Sequence, residues 1–197
     1  MKFNYLIYLL LFIFLIACET GTKDLEKPSE LKKQINEKFS FERRWSVNAF
    51  KSLPLGKINI ASDQDSIFIF DSKGEIKAFS NNGKRIWSNK LGFEISTGIT
   101  LGFNKLLLST SNGDVFCISK DSGDTIWQYS TSGEVLSPPA TNGDIVAIQN
   151  VDGRVTAVDL DTGEFRWDYR SVIPNLTLRG TSEPSFYQGF LYIGFAN

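Results

Sequence analysis

Bond-making chemistry in a folded chain needs nucleophiles, bases or metal ligands, and this sequence holds few. Cys18 and Cys117 are its only thiols, and histidine is absent. Without an imidazole there is no Ser-His-Asp or Cys-His arrangement and no histidine-ligated metal. Two cysteines make neither a metal cluster nor a disulfide framework. Acidic turns stand at 63–65 (DQD), 120–124 (KDSGD) and 159–163 (DLDTG). A calcium loop of EF-hand type needs more oxygen ligands and a terminal glutamate, so these read as Asx turns, whose carboxylates accept from their own backbone. The remaining group of interest is Arg179, which follows Leu176 and Leu178 in 172–184 (VIPNLTLRGTSEP), a stretch otherwise composed like a surface connector.

Those residues must be carried by a scaffold. The chain has 197 residues, 42% hydrophobic and 13% aromatic, enough to bury one domain's core. Lys and Arg total 21 against 22 Asp and Glu. No basic excess exists to neutralise phosphates, so nucleic acid is not expected as a partner.

Residues 1–17 read as an address. Lys2 precedes an apolar run from Phe3 to Ala17, 15 residues long, where a membrane-spanning helix needs about 20. The run ends in Leu15-Ile16-Ala17-Cys18, which resembles the lipobox of bacterial lipoproteins, where cleavage before the cysteine leaves an acylated N-terminus. That chemistry asks for a thiol nucleophile and a small residue at the cut, which Cys18 and Ala17 supply. The alternative is a short N-terminal anchor with an incidental cysteine. Glu19 stands where an aspartate retains many Gram-negative lipoproteins in the inner membrane, so the resemblance implies the outer membrane. Residues 18–41 are charged, mixed in sign and poor in large apolar groups until Phe39. They are expected to be a flexible tether behind the lipidated Cys18, with room for a transient helix over 29–38.

The remainder, 42–197, repeats. The segments 74–87 (GEIKAFSNNGKRIW), 113–127 (GDVFCISKDSGDTIW) and 153–167 (GRVTAVDLDTGEFRW) align, and Trp87, Trp127 and Trp167 fall 40 residues apart, with Trp45 42 residues before Trp87. A period near 40 with several short strands per unit predicts an all-β fold, a propeller of four-stranded antiparallel blades. In the third unit, VLSPPATNG supplies an inner strand, DIVAIQNV a second, RVTAVDL a third and FRWDYR a fourth. Asp152-Gly153, like Lys73-Gly74 and Asn112-Gly113, suits a two-residue turn with both residues at positive φ. Units are expected over about 55–90, 95–130 and 134–170, with an incomplete one over 180–197. Each tryptophan is expected to fill the gap between neighbouring blades, the alternative being a ring that stacks on a ligand. Cys117 takes the place of Ala78 and Ala157 in the other units, which predicts a small, buried, inert filler.

Counting connectors singles out the leucine-rich stretch. Trp127 lies 12 residues before Pro139, whereas Trp167 lies 17 before Pro184. The excess of about five residues is an insertion that the repeat does not need, and such loops often carry the binding face. Leucines beside an arginine suit an interface hot spot. Alternatively Ile173, Leu176 and Leu178 fold back as a plug and Arg179 pairs with Glu183.

The repeat G-x-[IV]-x-[AC]-[FIV]…G-x-x-[IF]-W, with Arg166 in the last slot of the third copy, resembles the pyrroloquinoline quinone (PQQ)-type β-propeller repeat. Lipobox, charged tether, a first Trp strand, repeats and then LTLRGTSEP together resemble the BamB family of outer-membrane assembly lipoproteins. The resemblance implies an eight-bladed propeller that binds no cofactor and catalyses nothing. It implies a periplasmic scaffold of the β-barrel assembly (BAM) machinery, held to the outer membrane by its lipid. Its partners would be the periplasmic domains of BamA and other BAM components, with Leu176, Leu178 and Arg179 docking on BamA. About three and a half blades are present, so the resemblance places this chain as the N-terminal part of a longer protein. The alternative is a PQQ-dependent dehydrogenase. Such enzymes carry calcium beside the quinone and many have adjacent cysteines, which this chain lacks.

Overall fold

Three consecutive leucines in Lys105–Ser109 would expose one of their faces in an ordinary half-buried strand; here all three are buried. Successive side chains of a strand point to opposite faces, so such a strand must be covered on both. A computed structural model describes residues 41–50, 60–71, 73–174 and 181–195, and its strands are stacked as blades that provide that cover. Leu106 and Leu108 pack with Phe68, Ile76 and Ala78 of the preceding blade. Leu107 packs with Val146, Ile148 and Val158 of the following one.

The first blade is β1 (Ala61–Ser62), β2 (Ser66–Phe70), β3 (Glu75–Ser80) and β4 (Arg85–Lys90). The second is β5 (Thr100–Gly102), β6 (Lys105–Ser109), β7 (Asp114–Ser119) and β8 (Thr125–Ser130). The third is β9 (Ala140–Thr141), β10 (Ile145–Gln149), β11 (Arg154–Asp159) and β12 (Phe165–Arg170), and β13 (Ser185–Tyr187) with β14 (Phe190–Tyr192) begins a fourth. Each sheet is antiparallel with strands in sequence order. The fold is all-β, a partial propeller of four-stranded blades.

Within each blade the tryptophan of the last strand sits opposite the small residue of the third. Ala78 pairs with Trp87, Cys117 with Trp127 and Ala157 with Trp167, and the register shifts by one residue immediately afterwards. The small side chain leaves room for the ring, and the bulge adds local twist. Cys117 is fully buried, and burial pushes its thiol up to about 12. Because the thiolate is the reactive species, a thiol reagent at pH 8 is expected to label Cys117 of a Cys18→Ser variant no faster than the chain unfolds. Rapid labelling in native buffer would show that β7 opens locally.

Two expectations about local structure are corrected. The turns ending in Gly74, Gly113 and Gly153 are not two-residue primed turns. At the last, Gly153 N–H donates to the Asn150 carbonyl at 3.2 Å and Asn150 N–H to that of Arg154 at 2.8 Å, a three-residue loop with positive φ at the glycine alone. Asp152 keeps negative φ, as does Asn112, so the glycine carries the whole left-handed requirement. Primed geometry does occur at Phe103-Asn104 and Gln188-Gly189, joining the first two strands of their blades, where all four residues have positive φ. The inner strand over VLSPPATNG is also shorter than its composition suggests. Only Ala140 and Thr141 join the ladder, with Val135 making a separate bridge to Asn150. Pro138 and Pro139 have no N–H to donate.

The segment at 43–50 joins no ladder, yet it is held on the first blade. Trp45 donates its indole N–H to the Asn81 carbonyl at 2.8 Å. Lys77, buried within β3, donates to the Ala49 carbonyl at 2.6 Å, pairs with Glu75 at 2.9 Å and lies 4.4 Å from the centroid of the Phe50 ring.

Candidate partner-docking face

Three of the four tryptophans are engaged between neighbouring units. Trp87 donates its Nε1–H to the Lys120 carbonyl at 2.9 Å, and Trp127 does so to the Leu160 carbonyl at 2.8 Å. Each indole lies on a glycine of the next blade's last turn: a Cβ on Gly83, Gly123 or Gly163 would come within 2.8, 2.6 or 2.7 Å of Trp45, Trp87 or Trp127. Three of the four rings are thus spent on blade-to-blade contact. Trp167 remains 39% exposed.

The acidic turns are occupied as well. Asp63 Oδ1 accepts the N–H groups of Asp65 and Ser66 at 2.9 and 2.8 Å, and its other oxygen pairs with Lys120. Asp159 accepts from Asp161 and Thr162 in the same way, at 2.9 and 2.8 Å. The Arg166 guanidinium and the Thr162 N–H hold the Asp159 carboxyl well below the usual carboxylate range. Among the described residues no group of three or more Cys, Asp or Glu is placed to hold a metal ion, and no helix is long and apolar enough to cross a membrane.

The opposite end of the blades is built differently. There the connector leaving each fourth strand folds over the glycine of the second-to-third-strand turn. Leu91, Thr131 and Ser171 donate their N–H groups to the carbonyls of Gly74, Gly113 and Gly153 at 2.8, 2.9 and 2.9 Å. A Cβ on Gly74 would lie 2.0 Å from the Phe93 carbonyl oxygen, and on Gly113 2.4 Å from that of Gly133. At Gly153 the close neighbours are the Ser171 carbonyl oxygen and the side chain of Ile173, at 2.7 and 2.9 Å. Glycine is required at all three because the connector backbone presses on the turn.

Beyond that shared start the connectors diverge. Residues 91–99 and 131–139 each join two blades with nine residues, whereas 171–184 uses fourteen. The middle connector is tied down by Asn150, whose Nδ2 donates to Thr131 Oγ1 at 2.8 Å and to the Gly133 carbonyl at 2.6 Å. The long one leaves Val172 92% exposed while Ile173 packs inward, beside a pocket of about 340 Å³ lined by Asp152, Arg170, Ser171, Val172 and Ile173. Charge is paired around it: Arg154 with Asp168 at 3.0 Å and Arg170 with Asp152 at 3.9 Å. This surface is formed by the base of the connector and the second-to-third-strand turn of the third blade. Its exposed apolar group, charged rim and inserted backbone suit recognition of another protein.

Of the residues expected to act, Leu176, Leu178, Arg179 and Cys18 lie outside the described residues. Ile173, offered as part of a plug, packs on Gly153, and Glu183 is exposed. Sequence reasoning read Asp152 only as a turn residue and gave no role to Arg170 or Ser182. The last had a signal, because it lies twelve residues before Gly194 as Thr97 lies twelve before Ser109.

Comparison with known proteins agrees with this architecture. The sequence model of the family described as outer membrane protein assembly factor BamB matches residues 72–197. The outer membrane protein assembly factor BamB of Kangiella koreensis is 44% identical over 195 residues, covering 97% of this chain and 50% of that protein. Among solved structures, BamB from Moraxella catarrhalis superposes with a TM-score of 0.57 at 23% identity, over 70% of this chain and 45% of that one. A europium-containing methanol dehydrogenase gives 0.51 at 14% identity, over 59% and 26%; at such identities the likeness is one of fold. The chain spans about half the length of the curated relatives it matches. With the family's sequence model running from the end of β2 through the inserted connector to the last residue, this chain belongs to the outer membrane protein assembly factor BamB family.

Proposed function

We propose that this protein is a non-catalytic scaffold of outer-membrane protein assembly. It is lipidated at Cys18, tethered by residues 18–41 to the periplasmic face of the outer membrane, and docks on the periplasmic domains of BamA beside other BAM components. The propeller over 42–197 presents the connector, and Leu176, Leu178 and Arg179 make the contact. The observation that supports this reading best is the fourteen-residue connector at one junction, where two others manage with nine. A repeat protein gains nothing in stability from five additional residues of loop, whose closure costs entropy. The bare Val172 at its base continues the apolar character of the leucines that follow.

Leu178→Asp and Arg179→Ala are each expected to weaken co-purification with BamA at least about tenfold, since a central hot-spot residue contributes about 2 kcal/mol or more, while leaving the far-ultraviolet dichroism spectrum unchanged. Wild-type binding by both variants would show that the contact lies elsewhere.

A further inference from the structure

Charge is distributed unevenly along the blades. Over residues 91–174 acidic residues outnumber basic ones eleven to five, and each of the five cations has an acidic partner. Lys105 pairs with Asp161 at 2.7 Å, Arg154 with Asp168 at 3.0 Å and Arg170 with Asp152 at 3.9 Å, while Lys120 and Arg166 pair with Asp63 and Asp159. The first blade and the segment at 43–50 reverse this. Their described residues hold seven cations, of which only Lys77 pairs with an acid, Glu75. Arg43, Arg44, Lys73, Lys84, Arg85 and Lys90 are exposed and make no ion pair among the described residues.

These cations gather on the outer edge of the first blade. Lys84 ends the turn before β4, Arg85 and Lys90 are the first and last residues of that strand, and β4 is the edge of its sheet. Lys73 and Arg85 line a groove of about 780 Å³, and Lys84 and Arg85 an adjoining one of about 350 Å³, both also lined by Asn48 and Ala49. Trp45, seated on Gly83, brings the chain of Arg43 and Arg44 to the turn before Lys84. The local acids are largely taken. Asp71 Oδ1 accepts the N–H groups of Lys73 and Glu75 at 3.0 and 2.8 Å, Glu75 is held by Lys77 and Asp63 by Lys120, which leaves Glu42 and Asp65 exposed. Like charges collected in this way repel one another, and an anionic partner relieves that repulsion.

We propose that this edge of the first blade is a surface for anionic phospholipid headgroups, which turns the first blade toward the bilayer. Headgroup phosphates gain from each unpaired cation, because none has to be taken from an existing partner. Long Lys and Arg side chains also reach a flat interface without a shaped pocket. The membrane as occupant rests on the anchor reading given above. Arg43 and Arg44 are the first described cations after Cys18, so the unit nearest in sequence to the acylated residue is the one with free positive charge. The acidic second and third blades are repelled by the same headgroups, which gives the attraction a direction.

The test uses the chain from residue 18 onward with Cys18→Ser, so that no acyl chain contributes. It is expected to co-sediment with vesicles of phosphatidylethanolamine and phosphatidylglycerol but not with phosphatidylcholine vesicles, and to be released at about 1 M salt, where the screening length is about 3 Å. The triple variant Lys84→Gln/Arg85→Gln/Lys90→Gln is expected to bind about tenfold or more weakly, since each basic residue at an anionic surface contributes about fivefold. Its melting temperature should match the parent's, because none of the three side chains is bonded in the fold. Lys105→Gln/Lys120→Gln/Arg166→Gln removes the same charge from the paired set and should bind within about twofold of the parent. An equal loss in that variant, or full binding by the first, would overturn the assignment to this edge. No preference for phosphatidylglycerol, with salt-sensitive binding to polyglutamate, would assign the cations to an acidic protein and overturn the lipid reading. Acylation is read separately, by palmitate labelling of Cys18 in the full chain. Labelled protein whose unlipidated form ignores phosphatidylglycerol overturns the surface and leaves the anchor; vesicle binding without labelling overturns the anchor and supports the surface.

Discussion

Trp127→Ala is expected to destabilise the chain by about 3–5 kcal/mol, the range for removing a large buried aromatic side chain. The ring is 8% exposed and belongs to the cluster that joins the second and third blades. Its removal also leaves the Leu160 carbonyl without the indole donor at 2.8 Å, and an unpaired buried acceptor adds about 1–3 kcal/mol of its own. Trp167→Ala in the same chain is the natural comparison. It removes the same side chain opposite the same kind of small residue, Ala157, but from a position 39% exposed. The cost there should be no more than about 1–2 kcal/mol. Urea denaturation of the two variants measures the difference. Equal costs would mean that the tryptophans act within their own blades and that the contacts between blades are incidental.

Gly123→Ala is expected to cost about 2–4 kcal/mol, from two sources that can be separated. Its φ of +78° is a conformation that an L side chain adopts at about 1–2 kcal/mol. The new methyl would also lie 2.6 Å from the Trp87 ring, forcing the blades apart or the ring off its rotamer. Gly189 has nearly the same φ, +82°, and a Cβ there meets nothing within 4 Å. Gly189→Ala should therefore show the backbone cost alone. If the two variants unfold at the same denaturant concentration, close contact between glycine and indole contributes nothing.

These two predictions mark where sequence reasoning was sufficient and where it stopped. The forty-residue spacing of Trp87, Trp127 and Trp167 was enough to give the blade, because each ring needs the same small partner across the strand pair, and Ala78, Cys117 and Ala157 are visible in the sequence. What the spacing did not reveal is the ring's second partner. Trp127 packs on Gly163 and Trp87 on Gly123, each 36 residues further along, and a glycine read as a turn former gives no sign that an indole lies on it. Turn type was misjudged for a related reason. Asp-Gly and Asn-Gly are compatible with both a primed turn and a three-residue loop, and only the φ of the residue before the glycine separates them. At the candidate site the extra length of the connector was legible by counting. The hydrogen bonds from Ser182 to Gly194 were marked only by a spacing of twelve residues, which gains meaning once Thr97 and Ser109 are seen to share it.

The seating of each tryptophan on the next unit's glycine also governs how the molecule comes apart. Every such contact joins only adjacent units: Trp45 to the first, Trp87 to the second, Trp127 to the third. No unit shares its ring with one two places away, so stability is close to a chain of nearest-neighbour couplings, as in other repeat arrays. The second blade, with Trp87 of the first seated on its Gly123 and its own Trp127 seated on Gly163 of the third, can come apart only by breaking its couplings to both neighbours, whatever the length of the array.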